Sequence, residues 1–228
     1  MTKPATPELR AQLRALRVLP VIVVDAPDHA VPMARALADG GIPAAEITFR
    51  TSAAVEALRR ISAECPDVLL GAGTVLSPRQ VDDARDAGAR FIVAPGFNRA
   101  VVACAQEVGL PVIPGVCTPT EIEAALEMGL TLLKFFPAEP MGGLKFLRAI
   151  AAPYASVEFV PTGGINADNV GAYLGFDRVV ACGGSWMAPA ERIAAGDFDW
   201  IRDQTTRAAI AAGVRGIAGM AAIPKGLA

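Results

Sequence analysis

Histidine is nearly missing from this chain: His29, beside Asp28, is the only one in 228 residues. A His-based catalytic triad or a multi-histidine metal site would have to be assembled around that one ring. Cysteine is sparse too, at positions 65, 104, 117 and 182, with no C-x-x-C pair and no clustering. That excludes zinc-type spacing and a dense disulfide framework, and it points to a reduced, cytoplasmic setting. There is no excess of positive charge, since 21 Lys+Arg face 23 Asp+Glu for a net charge of −2. Nothing concentrates cations to release counterions from a polyanion, so nucleic acid is not an expected partner. Long apolar runs are absent as well. No stretch reaches the ~18 residues of a membrane span, and the opening MTKPATPELRAQLRALR carries charge where a signal peptide needs an apolar core. A soluble protein with no membrane partner is expected.

The chain holds 53% hydrophobic and 19% charged residues. At about 150 residues per domain its length allows one large α/β unit, able to bury about 70% of its unfolded surface. Eight apolar or β-branched runs recur along it: 18–24, 44–48, 68–74, 90–94, 111–115, 131–136, 157–162 and 178–182. Between them lie segments with helical spacing, such as 29–41, 52–64 and 120–129, and several end in glycine before the next strand (Gly40-Gly41, Gly88, Gly109, Gly129). Continuous apolar strands flanked by helices predict a parallel sheet covered on both faces. Eight βα units in about 200 residues suit a closed (β/α)8 TIM barrel better than an open doubly wound sheet. An extra N-terminal helix (about 1–17) precedes the barrel, 189–213 reads as helical, and about 214–228 is a poorly specified tail. Residues 1–228 are thus expected to form a single barrel domain.

In such barrels chemistry sits at the C-terminal ends of the strands, so polar residues there carry information. Lys134, one of four lysines, interrupts Thr131-Leu132-Leu133-Lys134-Phe135-Phe136. An ammonium among such neighbours pays a desolvation cost, and a lysine so placed is a nucleophile towards carbonyl carbon. The structural alternatives are a lysine snorkelling to solvent or paired with a carboxylate. Alternation along residues 44–50 puts Glu46, Thr48 and Arg50 on one face and Ala45, Ile47 and Phe49 on the other. Glu46 and Arg50 then form either a structural ion pair or a general acid/base beside a carboxylate-binding fork. Thr74 closes Gly71-Ala72-Gly73-Thr74, where its hydroxyl could assist the same carboxylate.

Two glycine turns, Pro161-Thr162-Gly163-Gly164 and Cys182-Gly183-Gly184-Ser185, follow strands 7 and 8. Neither matches a nucleotide motif. They fall where barrels often hold a phosphate on backbone N–H groups, though a lone Gly-Gly is ordinarily a turn. Cys117 and Cys182 lack a positioned base and read as small core residues. His29 reads as a surface helix start, and Trp186 as rim packing.

The segments VLPVIVV, HAVPMARALADGG, EITFRT, GAGTVL, LLKFFPAE, GGLKFLRAI, PTGGI and GGSWM resemble those of the 2-keto-3-deoxy-6-phosphogluconate (KDPG) aldolases, class I lyases related to 4-hydroxy-2-oxoglutarate aldolase. The resemblance runs from about residue 8 to about 212. It implies that Lys134 forms a Schiff base and that Glu46 is the general acid/base, acting directly or through water. Arg50 and Thr74 would hold the pyruvate carboxylate, and Thr162 would face the aldehyde-derived part. Gly163, Gly164, Gly184 and Ser185 would hold the phosphate. It further implies small-molecule substrates, no metal or other cofactor, and a homotrimer. Specificity for 4-hydroxy-2-oxoglutarate or for the 6-phosphogalactonate epimer is the nearest alternative. A non-catalytic sugar-phosphate-binding barrel is the more distant one.

Overall fold

The computed structural model describes residues 7–214. Helix α1 (Pro7–Leu16) leads into β1 (Val18–Ile22), then a 3-10 turn (Pro27–His29), α2 (Ala30–Asp39), β2 (Ala44–Thr48), α3 (Ala54–Glu64) and β3 (Leu69–Gly73). Next come α4 (Pro78–Asp86), β4 (Phe91–Val93), α5 (Arg99–Glu107), β5 (Val112–Ile113), β6 (Gly115–Val116), α6 (Pro119–Glu127) and β7 (Leu132–Phe135). The series closes with α7 (Gly143–Ala151), β8 (Glu158–Pro161), α8 (Val170–Leu174), β9 (Cys182–Gly184), α9 (Ala190–Ala194) and α10 (Phe198–Ala212).

The pairings are parallel and run around a ring. One arc is ordered β5-β4-β3-β2-β1-β9 and the other β6-β7-β8. β5 and β6 are two halves of one stave, interrupted at Pro114, which has no N–H to give the ladder. Bridges Phe159↔Val179 and Thr162↔Gly183 join β8 to β9 and close the circle. This is the α/β barrel, with its extra leading helix, that the apolar pattern predicts. β2, β3 and β7 are buried along their whole length, as staves between an inner core and an outer ring of helices must be.

Local chemistry sets the boundaries. Ser77 and Asn98 accept hydrogen bonds from the first N–H groups of α4 and α5. Gly88, Gly109 and Gly129 end α4, α5 and α6 with φ of +87°, +78° and +75°, the left-handed closure expected of them. Two boundaries differ from the sequence reading. The stretch 189–213 is two helices, because Gly196 turns left-handed (φ +70°) between α9 and α10. The last strand spans 182–184 rather than 178–182. The Arg17 carbonyl takes the Cys182 N–H, so pairing with β1 starts only at Val18↔Cys182, while Val179 and Val180 pair with β8 alone. The tail assigned to 214–228 lies, beyond Val214, outside the described residues.

Helix α1 crosses the N-terminal rim. Leu9 and Leu13 are buried, and Leu9 shares a shallow pocket with Leu69, Arg90 and Pro111 at the starts of three strands. Arg10 and Arg14 both grip the Glu158 carboxylate at the start of β8, and Arg10 also reaches Thr131 ahead of β7. On the outer ring, Gly40 at the end of α2 lets α10 approach: a Cβ there would stand 2.5 Å from Thr205 Cβ and 2.7 Å from the Arg202 carbonyl.

Helix α6 opens with a reciprocal cap. The Glu121 N–H donates to Thr118 Oγ1 (3.3 Å), while the Glu121 carboxylate accepts from the N–H groups of Cys117 (2.8 Å) and Thr118 (2.9 Å) and from the Thr118 hydroxyl. Burial opposes the charge, but these donors outweigh it and hold the carboxyl below its ordinary range.

Two outcomes are expected. Leu13→Ala should lower the urea unfolding free energy by about 2–5 kcal/mol, as for other fully buried leucines. Glu121→Gln should cost about 1 kcal/mol at pH 7. Because the folded-state pKa of Glu121 is depressed, that contribution is present above the unfolded carboxyl value of about 4.3 and is lost as pH falls through the folded one. Urea curves of the two proteins at pH 7 and pH 3 should therefore converge at the acid end.

Candidate active site

At the C-terminal rim the ring brings together residues far apart in sequence. Lys134 on β7 and Glu46 on β2 are separated by 88 positions, yet Lys134 Nζ donates to Glu46 Oε1 at 3.2 Å. Both are withdrawn from solvent, with exposures of 5% and 1%. Of the alternatives read from the sequence, a lysine paired with a carboxylate is what forms, and Glu46 pairs with Lys134 rather than with Arg50. Such a pair is consistent with either structure or catalysis; its surroundings decide.

Glu46 is seated by β3. The register aligns Glu46 with Gly71 and Thr48 with Gly73, and a Cβ on Gly73 would stand 2.6 Å from Glu46 Cγ. Glycine at 73 is the space that the Glu46 side chain fills. Thr48, on the same face, is fully buried and donates to the Ile22 carbonyl at 2.9 Å, tying β2 to β1. The strand ends there. Arg50 N–H turns back to the Thr48 carbonyl (2.8 Å), so Arg50 reaches the rim from a turn, exposed, rather than by continued alternation.

Thr74 follows β3 with φ +56°, a conformation that a β-branched residue rarely adopts. Holding threonine there costs on the order of 1–3 kcal/mol and persists only where surrounding structure enforces it, a feature that gathers at functional sites. It stands next to Gly73, and so next to the residue that seats Glu46.

A cavity of about 330 Å³ opens at the same rim, and neither Lys134 nor Glu46 is among its wall residues. Its wall includes Arg50, Thr162, Gly163, Gly164, Gly184 and Ser185, so six of the nine sequence-chosen site residues converge on one space. Lys134 connects to it through Phe136, a wall residue whose ring centre lies 5.3 Å from Nζ. Thr74 is not among the wall residues. Thr162 is buried and forms a bridge with Gly183 between β8 and β9. Trp186 lies with its ring across Gly184, where any Cβ would collide with it, which is the rim packing expected of it.

Sequence reading missed part of the wall: Val21, Val23, Phe136, Ile165 and the Ala188–Glu191 stretch. Val21 and Val23 are half-buried while Ile22 and Val24 are buried, an alternation hidden because all four are apolar. Glu191 sits in the first turn of α9 after Pro189, and that helix-start signal could have flagged it.

The thiols do not take part. Burial pushes Cys182 up to about 12. Burial, together with the Glu121 carboxylate, also raises Cys117. Neither supplies thiolate near neutrality. His29 stands at the head of α2, edge-on to Phe198.

Comparison with known proteins follows the same lines. The family model for the KDPG and KHG aldolases matches residues 9–204. The 2-dehydro-3-deoxy-phosphogluconate aldolase of Treponema pallidum is 54% identical over 189 residues, 83% of this chain and 90% of that one. Among solved structures, KDPG aldolase from Legionella pneumophila, with pyruvate captured at low pH as a covalent carbinolamine, aligns with a TM-score of 0.83 and 41% identity over 86% of this chain and 96% of that one. The aldolase of Zymomonas mobilis with 3-phosphoglycerate gives 0.81 and 36% over 87% and 93%.

If Gly73 is the seat of Glu46, Gly73→Ala should displace a carboxylate that has no route to solvent. Turnover in an aldol-cleavage assay is expected to fall about 100-fold, the usual penalty for ångström-scale misplacement of a reacting group, while far-UV circular dichroism stays native.

Proposed function

We propose that this chain, which belongs to the KDPG and KHG aldolase family, is an aldehyde-lyase that cleaves 2-keto-3-deoxy-6-phosphogluconate to pyruvate and glyceraldehyde 3-phosphate, with its own residues dividing the work. The observation that carries the assignment is the buried Lys134–Glu46 hydrogen bond of 3.2 Å, with Lys134 against Phe136 in the wall of a cavity lined by glycine turns.

Lys134 must lose a proton before its nitrogen can attack, and Glu46 is the acceptor within reach. The Nζ lone pair adds to C2 of the 2-keto acid to give a carbinolamine; Glu46 then returns its proton to the departing hydroxyl, and loss of water leaves an iminium with Glu46 a carboxylate again. The iminium draws the C3–C4 bonding electrons as that bond breaks. Glu46 takes the C4 hydroxyl proton, and glyceraldehyde 3-phosphate departs. The enamine left on Lys134 is protonated at C3 by the same carboxyl. Water then adds to the iminium, and pyruvate is released with Lys134 regenerated. No proton or electron pair is left over.

Arg50 is assigned the carboxylate, which its planar fork suits, and Thr74 assists it. Thr162 is assigned the aldehyde-derived segment. Gly163, Gly164, Gly184 and Ser185 are assigned the phosphate, whose remote binding energy positions the reacting bond. Residues 1–228 are read as one barrel domain, and the family resemblance carries with it a cytoplasmic homotrimer.

Borohydride trapping with pyruvate, followed by intact mass and peptide mapping, tests the centre of this assignment. One reduced pyruvate adduct per chain, on Lys134, is expected, with none in Lys134→Ala and cleavage lost in that variant. An adduct elsewhere, or substantial cleavage by Lys134→Ala, would remove Lys134 from the mechanism. Faster cleavage of the phosphorylated acid than of 4-hydroxy-2-oxoglutarate supports the phosphate assignment, and equal rates would sink it.

A further inference from the structure

The turn after β8 carries two backbone donors that the protein itself leaves unused. Among the described residues, the N–H groups of Gly164 and Ile165 have no hydrogen-bond partner and both residues line the 330 Å³ cavity, while the Gly163 N–H faces β9 across the Thr162↔Gly183 bridge. The carbonyls preceding the two unused donors are each tied elsewhere. The Gly163 carbonyl accepts from the Glu139 N–H (3.0 Å), and the Gly164 carbonyl from Asn169 Nδ2 (3.0 Å). Both peptide units are trans. In a trans unit the N–H points opposite to the C=O, so fixing each carbonyl against its neighbour aims the following N–H the other way, at the cavity.

Two side-chain devices hold these ties. Asn169, at the head of α8, is itself anchored, because its Oδ1 accepts from the Asn166 N–H at 2.9 Å. Glu139, in the loop after β7, accepts from the Tyr173 hydroxyl on α8. Tyr173 is fully buried, and burial, reinforced by the Glu139 carboxylate, raises its pKa so that the hydroxyl stays a donor. The two loops are in tight contact: a Cβ on Gly164 would stand 2.6 Å from Glu139 Cβ. Helix α8, which directly follows the glycine turn, thus reaches across to clamp the loop that orients it.

We propose that Asn169 and the Glu139–Tyr173 pair are positioning residues for an anion nest, holding the Gly163 and Gly164 carbonyls outward so that the two successive N–H groups of Gly164 and Ile165 face the phosphate end of the substrate. The proposal rests on the phosphate reading of this cavity. It adds that the specificity for a phosphorylated substrate is set by neutral or anionic side chains that touch no ligand. Successive amides aimed into one concavity bind anions without a cationic side chain.

The test compares two substrates, KDPG and unphosphorylated 4-hydroxy-2-oxoglutarate, in Asn169→Ala, Asn169→Asp, Tyr173→Phe and Glu139→Gln. Asn169→Asp keeps the Oδ1 acceptor and the size of the side chain but removes the donor to Gly164. It is the variant to rely on if Asn169→Ala is poorly folded. Asn169→Asp and Tyr173→Phe are expected to raise KM for the phosphorylated acid about tenfold, the worth of one hydrogen bond to a charged group. The kcat, the pyruvate adduct yield under borohydride and kcat/KM for the unphosphorylated acid should stay within twofold of wild type. Glu139→Gln, which still accepts from Tyr173, should retain wild-type KM. An equal loss on both substrates, or no change on either, overturns the positioning role. A wild-type enzyme with no preference for the phosphorylated acid overturns the phosphate reading beneath it, a distinct result.

Discussion

One hydrogen bond between Lys134 and Glu46 sets the terms for the rest of the site. Two full charges at 5% and 1% exposure are costly to bury, and removing either partner from such a pair costs about 3–5 kcal/mol because the other is stranded. A pair held this way has a compensating chemical property. When the proton crosses from ammonium to carboxylate both groups become neutral, so the nucleophile is freed without any change in the site's net charge and without an outside base. The neighbours keep that transfer short. Gly73 leaves room for Glu46, Thr48 pins β2 to β1, and the bridges between β8 and β9 close the ring that brings β7 round to β2.

The two ends of the barrel solve different problems. At the N-terminal rim Arg10 and Arg14 converge on Glu158, and Leu9 and Leu13 are buried, so polar groups there are spent on one another. At the C-terminal rim they are left to face a cavity, Arg50 from one turn and two amides from another, with Thr74, at φ +56°, beside Gly73 and outside the cavity wall. Unpaired donors are a cost that a stability-optimised rim would shed, and they gather at the C-terminal end, whereas positive-φ backbone outside glycine occurs at both ends, at Arg17 (φ +61°) ahead of β1 as well as at Thr74.

Much of this was legible in the sequence because the informative residues break local rules. A lysine inside Leu-Leu-Lys-Phe-Phe and a glutamate inside Ala-Ala-Glu-Ile-Thr contradict their surroundings, and the fold brings the two together in one buried hydrogen bond. The eight-unit count held because parallel staves buried on both faces read as continuous apolar runs. What stayed hidden lacked such a contrast. Val21 and Val23 line the cavity while Ile22 and Val24 pack in the core, and no hydropathy pattern separates them. The 189–213 segment reads as helical, and its division into two helices rests on the left-handed turn at Gly196 (φ +70°), a backbone conformation that a single glycine permits but does not dictate. The shift of the last strand depends on register with β1, a long-range pairing that local sequence does not encode.

The anion-facing turn shows why hydrogen-bond accounting reaches what motif matching does not. Gly163-Gly164 is by itself a common turn. It becomes specific once each backbone carbonyl around it is given its partner, because a peptide unit with its carbonyl committed has its N–H committed as well. The donors doing the committing are Glu139 and Asn169, from two different loops. Among the described residues, Arg50 is then the one cationic side chain in the cavity wall. A substrate with an anion at each end needs two recognition elements that do not compete. A fixed array of amides offers directionality without the long-range pull of a second arginine, which would attract the carboxylate end just as strongly. The scarcity of lysine and histidine in this chain fits the proposed division of work, with one buried amine for the chemistry, one guanidinium for the carboxylate and backbone for the phosphate.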